Sequence, residues 1–192
     1  RPNFWPNTPD ILPPILTHGG EPAFIYRLLL AATLSSNYGM YGPVYEFGLN
    51  TPYPGKEEYL DSEKYEIKHW DWFKETRIKE IITRINKIRK ENPAFQDTYN
   101  VHFADSNNPN ILCFGKYDVS SGNKVIVAAN MDPYNTQGSS VRIPLESLGI
   151  NPHIPFTVHD MISYSRYTWQ GEWNYVEMNP HQMPVHVFKV EQ

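Results

Sequence analysis

A helical region followed by an antiparallel β-sandwich is the fold predicted by three observations on the 192-residue sequence. Two stretches before Pro93 carry apolar residues at helical spacing, whereas after it the period drops to two, in short runs parted by turn-forming residues. The charge balance changes at the same place, with 12 basic and 12 acidic side chains up to residue 92 and 5 and 9 beyond it. Two units, 1–92 and 93–192, are therefore expected.

In chain order, Asn7-Thr8-Pro9-Asp10 stands first, ahead of Ile11-Leu12. It reads as a helix start, with Thr8 as cap, Pro9 at the first helical position and Asp10 favoured by the helix dipole. Local chemistry favours that reading; the functional alternative is the end of a strand over residues 1–5, where a stiff proline-rich turn presents the Asp10 carboxylate as barrel enzymes present catalytic groups. Next, Gly19-Gly20-Glu21-Pro22 precedes apolar residues on nearly every face from 23 to 34, which predicts a helix over 21–35 buried on most sides. Residues 38–75 have no helical period and many glycines and prolines. Their seven tyrosine and phenylalanine positions between Tyr38 and Tyr65 argue for an ordered site loop rather than disorder.

Isoleucines at 78, 81, 82, 85 and 88, with Lys79, Glu80, Arg84 and Lys87 on the other face, predict an amphipathic helix over 76–90 that Glu91-Asn92-Pro93 stops. Strands are predicted at 111–117, 124–129, 140–144, 156–161, 173–178 and 185–190, with turns at 120–123 and 135–138.

Composition narrows the chemistry. A chain of this length buries roughly 70% of its unfolded surface, so neither a disulfide nor a metal is needed for stability, and Cys113 is the only cysteine. A formal net charge of −4 without a Lys/Arg run speaks against nucleic acid. The longest apolar run, 28–34, falls far short of the roughly 20 residues that span a bilayer. No membrane partner is expected, and the predicted location is cytoplasmic. Histidines 18, 69, 102, 153, 159, 181 and 186 show no metal-ligand spacing, and neither a phosphate-cradling glycine loop nor a G-x-S-x-G elbow occurs. No cofactor and no metal are expected. The start at Arg1, without a methionine, reads like a cut end.

Residues 57–66 and the His69-Trp70-Asp71-Trp72 run mix carboxylates, lysine and aromatic rings. Such a mixture suits a polyhydroxylated ligand, since rings stack on sugar faces while charged groups bond hydroxyls. It also suits a solvated loop whose tryptophans pack on the helix at 76–90.

Residues 1–12, 18–24, 57–67 and 69–72, together with Asn130-Met131-Asp132-Pro133 and Pro184-Val185-His186-Val187, resemble the maltosyltransferases that use α-maltose 1-phosphate to extend α-1,4-glucans. These belong to the α-amylase superfamily, glycoside hydrolase family 13. The resemblance implies that 1–92 is the C-terminal part of a (β/α)8 barrel, with 1–5 and 38–41 as strands seven and eight and 21–35 and 76–90 as their helices, and that 93–192 is the β-sandwich. It makes Asp10 the transition-state stabiliser and Lys64 and Tyr65 contacts to the maltosyl donor. Many amylases carry a sugar-binding histidine just before this aspartate, where Pro9 stands here. The retaining nucleophile and general acid, roughly 5 Å apart on one sugar, would come from barrel strands four and five, before Arg1, so the segment alone is expected to be inactive. The implied partners are α-maltose 1-phosphate, an α-1,4-glucan and a second copy in a homodimer. The alternatives are another superfamily activity, trehalose synthase-like or α-glucan hydrolase, and a glucan-binding sandwich using Tyr164, Tyr167, Trp169 and Trp173.

Overall fold

The computed structural model describes residues 2–192; Arg1, the first residue of the expected strand at 1–5, lies outside them. Helix α1 (Pro14–Leu34) opens with Pro14 at its first position, where the missing amide costs nothing. It breaks at Gly20 (φ 57°, ψ −158°), a backbone state that glycine alone reaches cheaply, and restarts over Pro22. The sequence pattern shows the second part of this helix and misses the first. No helix starts at Thr8. The Thr8 hydroxyl accepts from Ile11 N (3.2 Å) as a cap would, but Pro13 and Pro14 bar helical backbone at the residues just before them.

A short helix, α2 (Gly42–Glu46), lies in the expected loop. Helix α3 (Arg77–Glu91) follows its pattern closely: Thr76 caps it by accepting from Lys79 N (3.2 Å), and Ile78, Ile81, Ile85 and Ile88 are buried. Its end is closed by Asn92, whose side chain donates to Ile88 O (2.8 Å) ahead of a single 3-10 turn at Pro93–Gln96.

Eight antiparallel strands follow: β1 (Val101–Ser106), β2 (Ile111–Asp118), β3 (Asn123–Asn130), β4 (Gln137–Arg142), β5 (Phe156–Asp160), β6 (Arg166–Trp169), β7 (Trp173–Met178) and β8 (Val185–Glu191). Their spatial order is β6-β5-β8-β3-β2-β1-β4-β7. β1 is the corner strand. Residues 101–104 pair with β2 and residues 105–106 with β4, so the sheet folds over itself into two layers. β1 and β6 escape the sequence pattern because neither buries an alternating face; Phe103 is 63% exposed, and only Trp169 of β6 is buried.

The larger sheet is covered on both sides. Val125, Val127, Ala129, Val185 and Val187 share a core with α1 and α3. Ile126, Ala128, Phe188 and Val190, from the opposite faces of the same two strands, share another with Val141 and Val176 of the smaller sheet. Burial on both faces explains why β3 reads as a continuous apolar run.

The barrel strands implied at 1–5 and 38–41 reduce to one parallel bridge, Phe4 with Tyr38, and Gly39 N donates to Phe4 O (2.9 Å). No closed barrel forms among the described residues, because neither segment has a second neighbouring strand to extend its ladder. The approach is nonetheless close: a Cβ at position 39 would sit 2.4 Å from the Trp5 ring, so any side chain there would have to displace that ring.

Helix α1 has no basic residue in its last turn. Two cations from other elements serve it instead. Arg89 of α3 donates to Ala32 O, Ser35 O (3.2 Å) and Ser36 O (2.9 Å). Lys116 of β2, with no exposed surface, donates to Thr33 O (3.3 Å) and Asp97 O (2.6 Å). These bonds satisfy carbonyls that a helix end leaves unpaired and place positive charge at its negative pole. Burial, helped by the charge of Arg89, lowers the Lys116 pKa from 10.5 to about 8.

A depressed lysine pKa means that between about 8 and 10.5 the unfolded chain holds more protons than the folded one. The Lys116 contribution to stability therefore rises with pH across that window. Urea unfolding at pH 7 and pH 10 should show wild type gaining on Lys116→Met, and a constant gap between the two would refute the assignment.

Among the described residues no helix is long and apolar enough to cross a membrane, and no group of three or more His, Cys, Asp or Glu side chains could hold a metal ion.

Candidate functional site

The proline-rich turn after Trp5 is fixed from behind. Arg27 of α1 donates to Pro6 O (3.0 Å), and Asn7 is buried at 1% exposure. The turn projects Asp10 outward, with 70% of its side chain exposed. Opposite stands the long loop between α2 and α3, tied to the turn through Leu12 N to Glu57 O (2.9 Å).

That loop carries Lys64 to Asp10. The ammonium lies 3.3 Å from the carboxylate across a sequence gap of 54 residues, and it sits 5.5 Å from the centre of the neighbouring Tyr65 ring. The hydrogen bond that Lys64 donates to Asp10, followed by its interaction with Tyr65, raises the Lys64 pKa, so the side chain is a cation at any physiological pH. All three residues singled out from the sequence thus meet at one exposed spot. Tyr65 is 71% exposed.

Glu63 is held from both sides. Tyr41 OH donates to its Oε2 (2.8 Å) and Trp70 Nε1 to its Oε1 (2.8 Å). Burial, followed by the Glu63 hydrogen bond, pushes the Tyr41 hydroxyl up to about 12, which keeps it a neutral donor. Trp70 stacks on Phe47 at 5.6 Å with 12° between the planes. Beneath the loop is a cavity of about 340 Å³ lined by Leu49, Tyr59, Asp61, Glu63, Lys68 and Trp70. The aromatic side chains of residues 57–72 divide between core and surface. Trp70 packs inward, while Tyr65 and Trp72 (58% exposed) face water with the carboxylates. The sequence pattern marked this region as a site but not the roles of Asn7, Tyr41 and Glu63, because nothing local shows which side chains fold back on one another.

The sandwich aromatics divide. Trp169 is 6% exposed and packs edge-on against Phe156 and Phe188 in the inter-sheet core, so it cannot stack on a ligand. Tyr164 is exposed beside the Arg84 guanidinium (5.2 Å), and Trp173 lies on β7 across from Arg142. A pair that the sequence pattern does not bring together is buried Asp160 with half-buried His186 (Nδ1 to Oδ2, 2.9 Å). The second ring nitrogen of His186 faces Glu177 O (3.0 Å), so both nitrogens meet acceptors and the imidazolium satisfies both. Burial would lower the His186 pKa, but the Asp160 hydrogen bond and charge raise it. With Ile162 N and Val187 N also donating to Asp160, the pair locks β5 to β8 and is structural. Burial pushes the Cys113 thiol up to about 12, which leaves it inert as a nucleophile.

Residues 103–190 match the protein family described as GLGE, C-terminal. Over 99% of the chain, 50% of residues are identical to the α-1,4-glucan:maltose-1-phosphate maltosyltransferase of Chlorobaculum tepidum, and the match spans 29% of that protein. The corresponding enzyme of Methylacidiphilum infernorum is 47% identical over 100% of the chain and 29% of its own length. Among solved structures, the maltogenic α-amylase AmyB of Thermotoga neapolitana shares the fold with a TM-score of 0.65 at 10% identity, over 96% of this chain and 39% of that one. The γ-CGTase of alkalophilic Bacillus clarkii superposes over 96% of this chain and 25% of its own with a TM-score of 0.59 at 16% identity. The last two likenesses concern fold alone. From end to end the chain is a homologue of the α-1,4-glucan:maltose-1-phosphate maltosyltransferases, of whose length it spans about 29%.

Proposed function

We propose that the chain is the C-terminal portion of a retaining maltosyltransferase that moves maltosyl units from α-maltose 1-phosphate to the non-reducing end of an α-1,4-glucan. The observation that carries this reading is the meeting of Asp10, Lys64 and Tyr65, drawn from distant segments to one exposed spot. In the proposal 1–92 ends a (β/α)8 barrel and 93–192 is the sandwich. The parallel bridge between Phe4 and Tyr38, joined through α1, supports that division, since a strand-helix-strand unit with parallel strands is the repeating element of such barrels.

In the complete enzyme, a carboxylate contributed by the earlier part of the barrel attacks the anomeric carbon of the donor. The bond to phosphate breaks and its electron pair leaves with phosphate. The 4-hydroxyl of a glucan end then attacks the maltosyl-enzyme, giving its proton to the general base and returning the carboxylate. Between these states the sugar is oxocarbenium-like. Asp10 accepts hydrogen bonds from hydroxyls of that sugar, bonds that strengthen as positive charge develops. Lys64 donates to the donor's maltosyl unit, and Tyr65 offers a ring face. Because both partners of the Asp10–Lys64 pair are largely exposed, their attraction is weakened by water, and incoming sugar hydroxyls can replace it.

The enzyme so assembled works in the cytoplasm as a homodimer. Its single buried thiol fits a reducing compartment. Full-length protein given α-maltose 1-phosphate and maltohexaose should release phosphate and lengthen the glucan by two glucosyl units. Absence of phosphate release, or formation of trehalose or free maltose instead, overturns the reading. Lys64→Ala should raise the KM for α-maltose 1-phosphate about tenfold, the value of one charge-assisted hydrogen bond, and change kcat little. An unchanged donor KM removes Lys64 from the site.

A further inference from the structure

Residues between α2 and α3 carry no strand or helix, only one antiparallel bridge, Pro52 with Tyr59. A segment of that kind does not hold a lysine in register with a carboxylate by backbone alone. Side chains do it here. Asn7 Oδ1 accepts from Tyr41 N (2.9 Å), while its Nδ2 donates to Tyr59 OH (3.1 Å) and, more weakly, to Tyr41 O (3.4 Å). The Tyr41 and Tyr59 rings meet at 6.1 Å in an edge-to-face arrangement. Tyr41 then donates to Glu63, which also receives Trp70, and the next residue is Lys64. A continuous hydrogen-bonded path therefore runs from the Asp10 turn through Asn7, Tyr41 and Glu63 to the loop tip.

We infer that Asn7 and Glu63 are positioning residues that set Lys64 and Tyr65 over Asp10 without touching the donor. The inference rests on the donor-site reading above. Chemistry accounts for each residue type. A primary amide offers an acceptor to the Tyr41 amide and donors to two oxygens at once, which no carboxylate, hydroxyl or aliphatic side chain can do. A carboxylate at 63 offers one oxygen to each of two donors, whereas a glutamine there accepts one and turns its own NH2 toward the other. Loss should accordingly be graded: large for Glu63→Ala, intermediate for Glu63→Gln.

The test uses the full-length enzyme, with Lys64→Ala as the reference. Asn7→Ala and Glu63→Ala should each raise the KM for α-maltose 1-phosphate about tenfold, as expected for a misplaced charge-assisted contact, and leave the acceptor KM unchanged. Glu63→Gln should recover part of the loss. Because Glu63 acts through its neighbour, Glu63→Ala added to Lys64→Ala should cost little more than Lys64→Ala alone. If Lys64→Ala raises donor KM and the Glu63 variants do not, or if the two losses multiply independently, the positioning role is wrong. If Lys64→Ala itself leaves donor KM unchanged, the donor-site reading falls and takes this inference with it. Should Asn7→Ala fail to fold, the Glu63 pair decides alone, since Glu63 is exposed and outside either core.

Discussion

Asp10→Ala, made in the full-length protein, is expected to lower kcat of the proposed maltosyl transfer by about a thousandfold, with the melting temperature unmoved. Contacts that tighten as an oxocarbenium-like sugar forms supply several kcal/mol, and each 1.4 kcal/mol or so is a factor of ten. Asp10 can be truncated without harm to the fold because, among the described residues, its carboxylate bonds only the exposed ammonium of Lys64. The loss should appear in kcat and in kcat/KM alike, the mark of an interaction made mainly in the transition state. Single-turnover phosphate release measures it directly. Turnover within a few-fold of wild type would exclude Asp10 from the reaction.

The largest stability effect should come from Arg89→Ala. This guanidinium reaches three carbonyls at the end of α1 and stacks 5.1 Å from the Tyr38 ring, which stands at the parallel bridge. Truncation leaves partly buried carbonyls without donors, each costing about 1–3 kcal/mol when no water replaces the partner. A total near 3 kcal/mol is expected. Arg89→Lys should recover under half of it, because an ammonium cannot span three acceptors as a planar fork does. Urea unfolding of the two variants beside wild type checks this, and a loss for Arg89→Ala below about 1 kcal/mol would show that α1 ends without its help.

What could be read in advance follows from where the physics is local. The isoleucine spacing of α3 is contained in fifteen consecutive residues, and the structure places the helix within one residue of the bounds it predicts. β7, with its strictly alternating burial, keeps its expected bounds of 173–178. β1 and β6 were illegible because an edge or corner strand need not bury one face, and Phe103 on β1 points into water. Thr8 caps a turn but starts no helix, since two prolines further on veto the helix it announces. At the site, residue chemistry flagged the loop and the resemblance named Asp10, Lys64 and Tyr65. The Asn7–Tyr41–Glu63 path lay out of reach, for its members are 34 and 22 residues apart and each looks ordinary where it stands. The paired cations at the end of α1 were hidden for the same reason, coming from α3 and β2.

The double coverage of β3 and β8 has a kinetic side. The apolar face of α1 (Pro14–Leu34) finds part of its cover in Val185 and Val187 of β8, nearly the whole chain later. Closing a loop of that size precedes any reward from the contact, so such non-local pairing makes for slow folding. During synthesis the helices emerge first, with their apolar faces waiting for a strand not yet made. Over that interval the nascent chain is a natural client for chaperones, and conditions that stall translation before β8 should send it to aggregates.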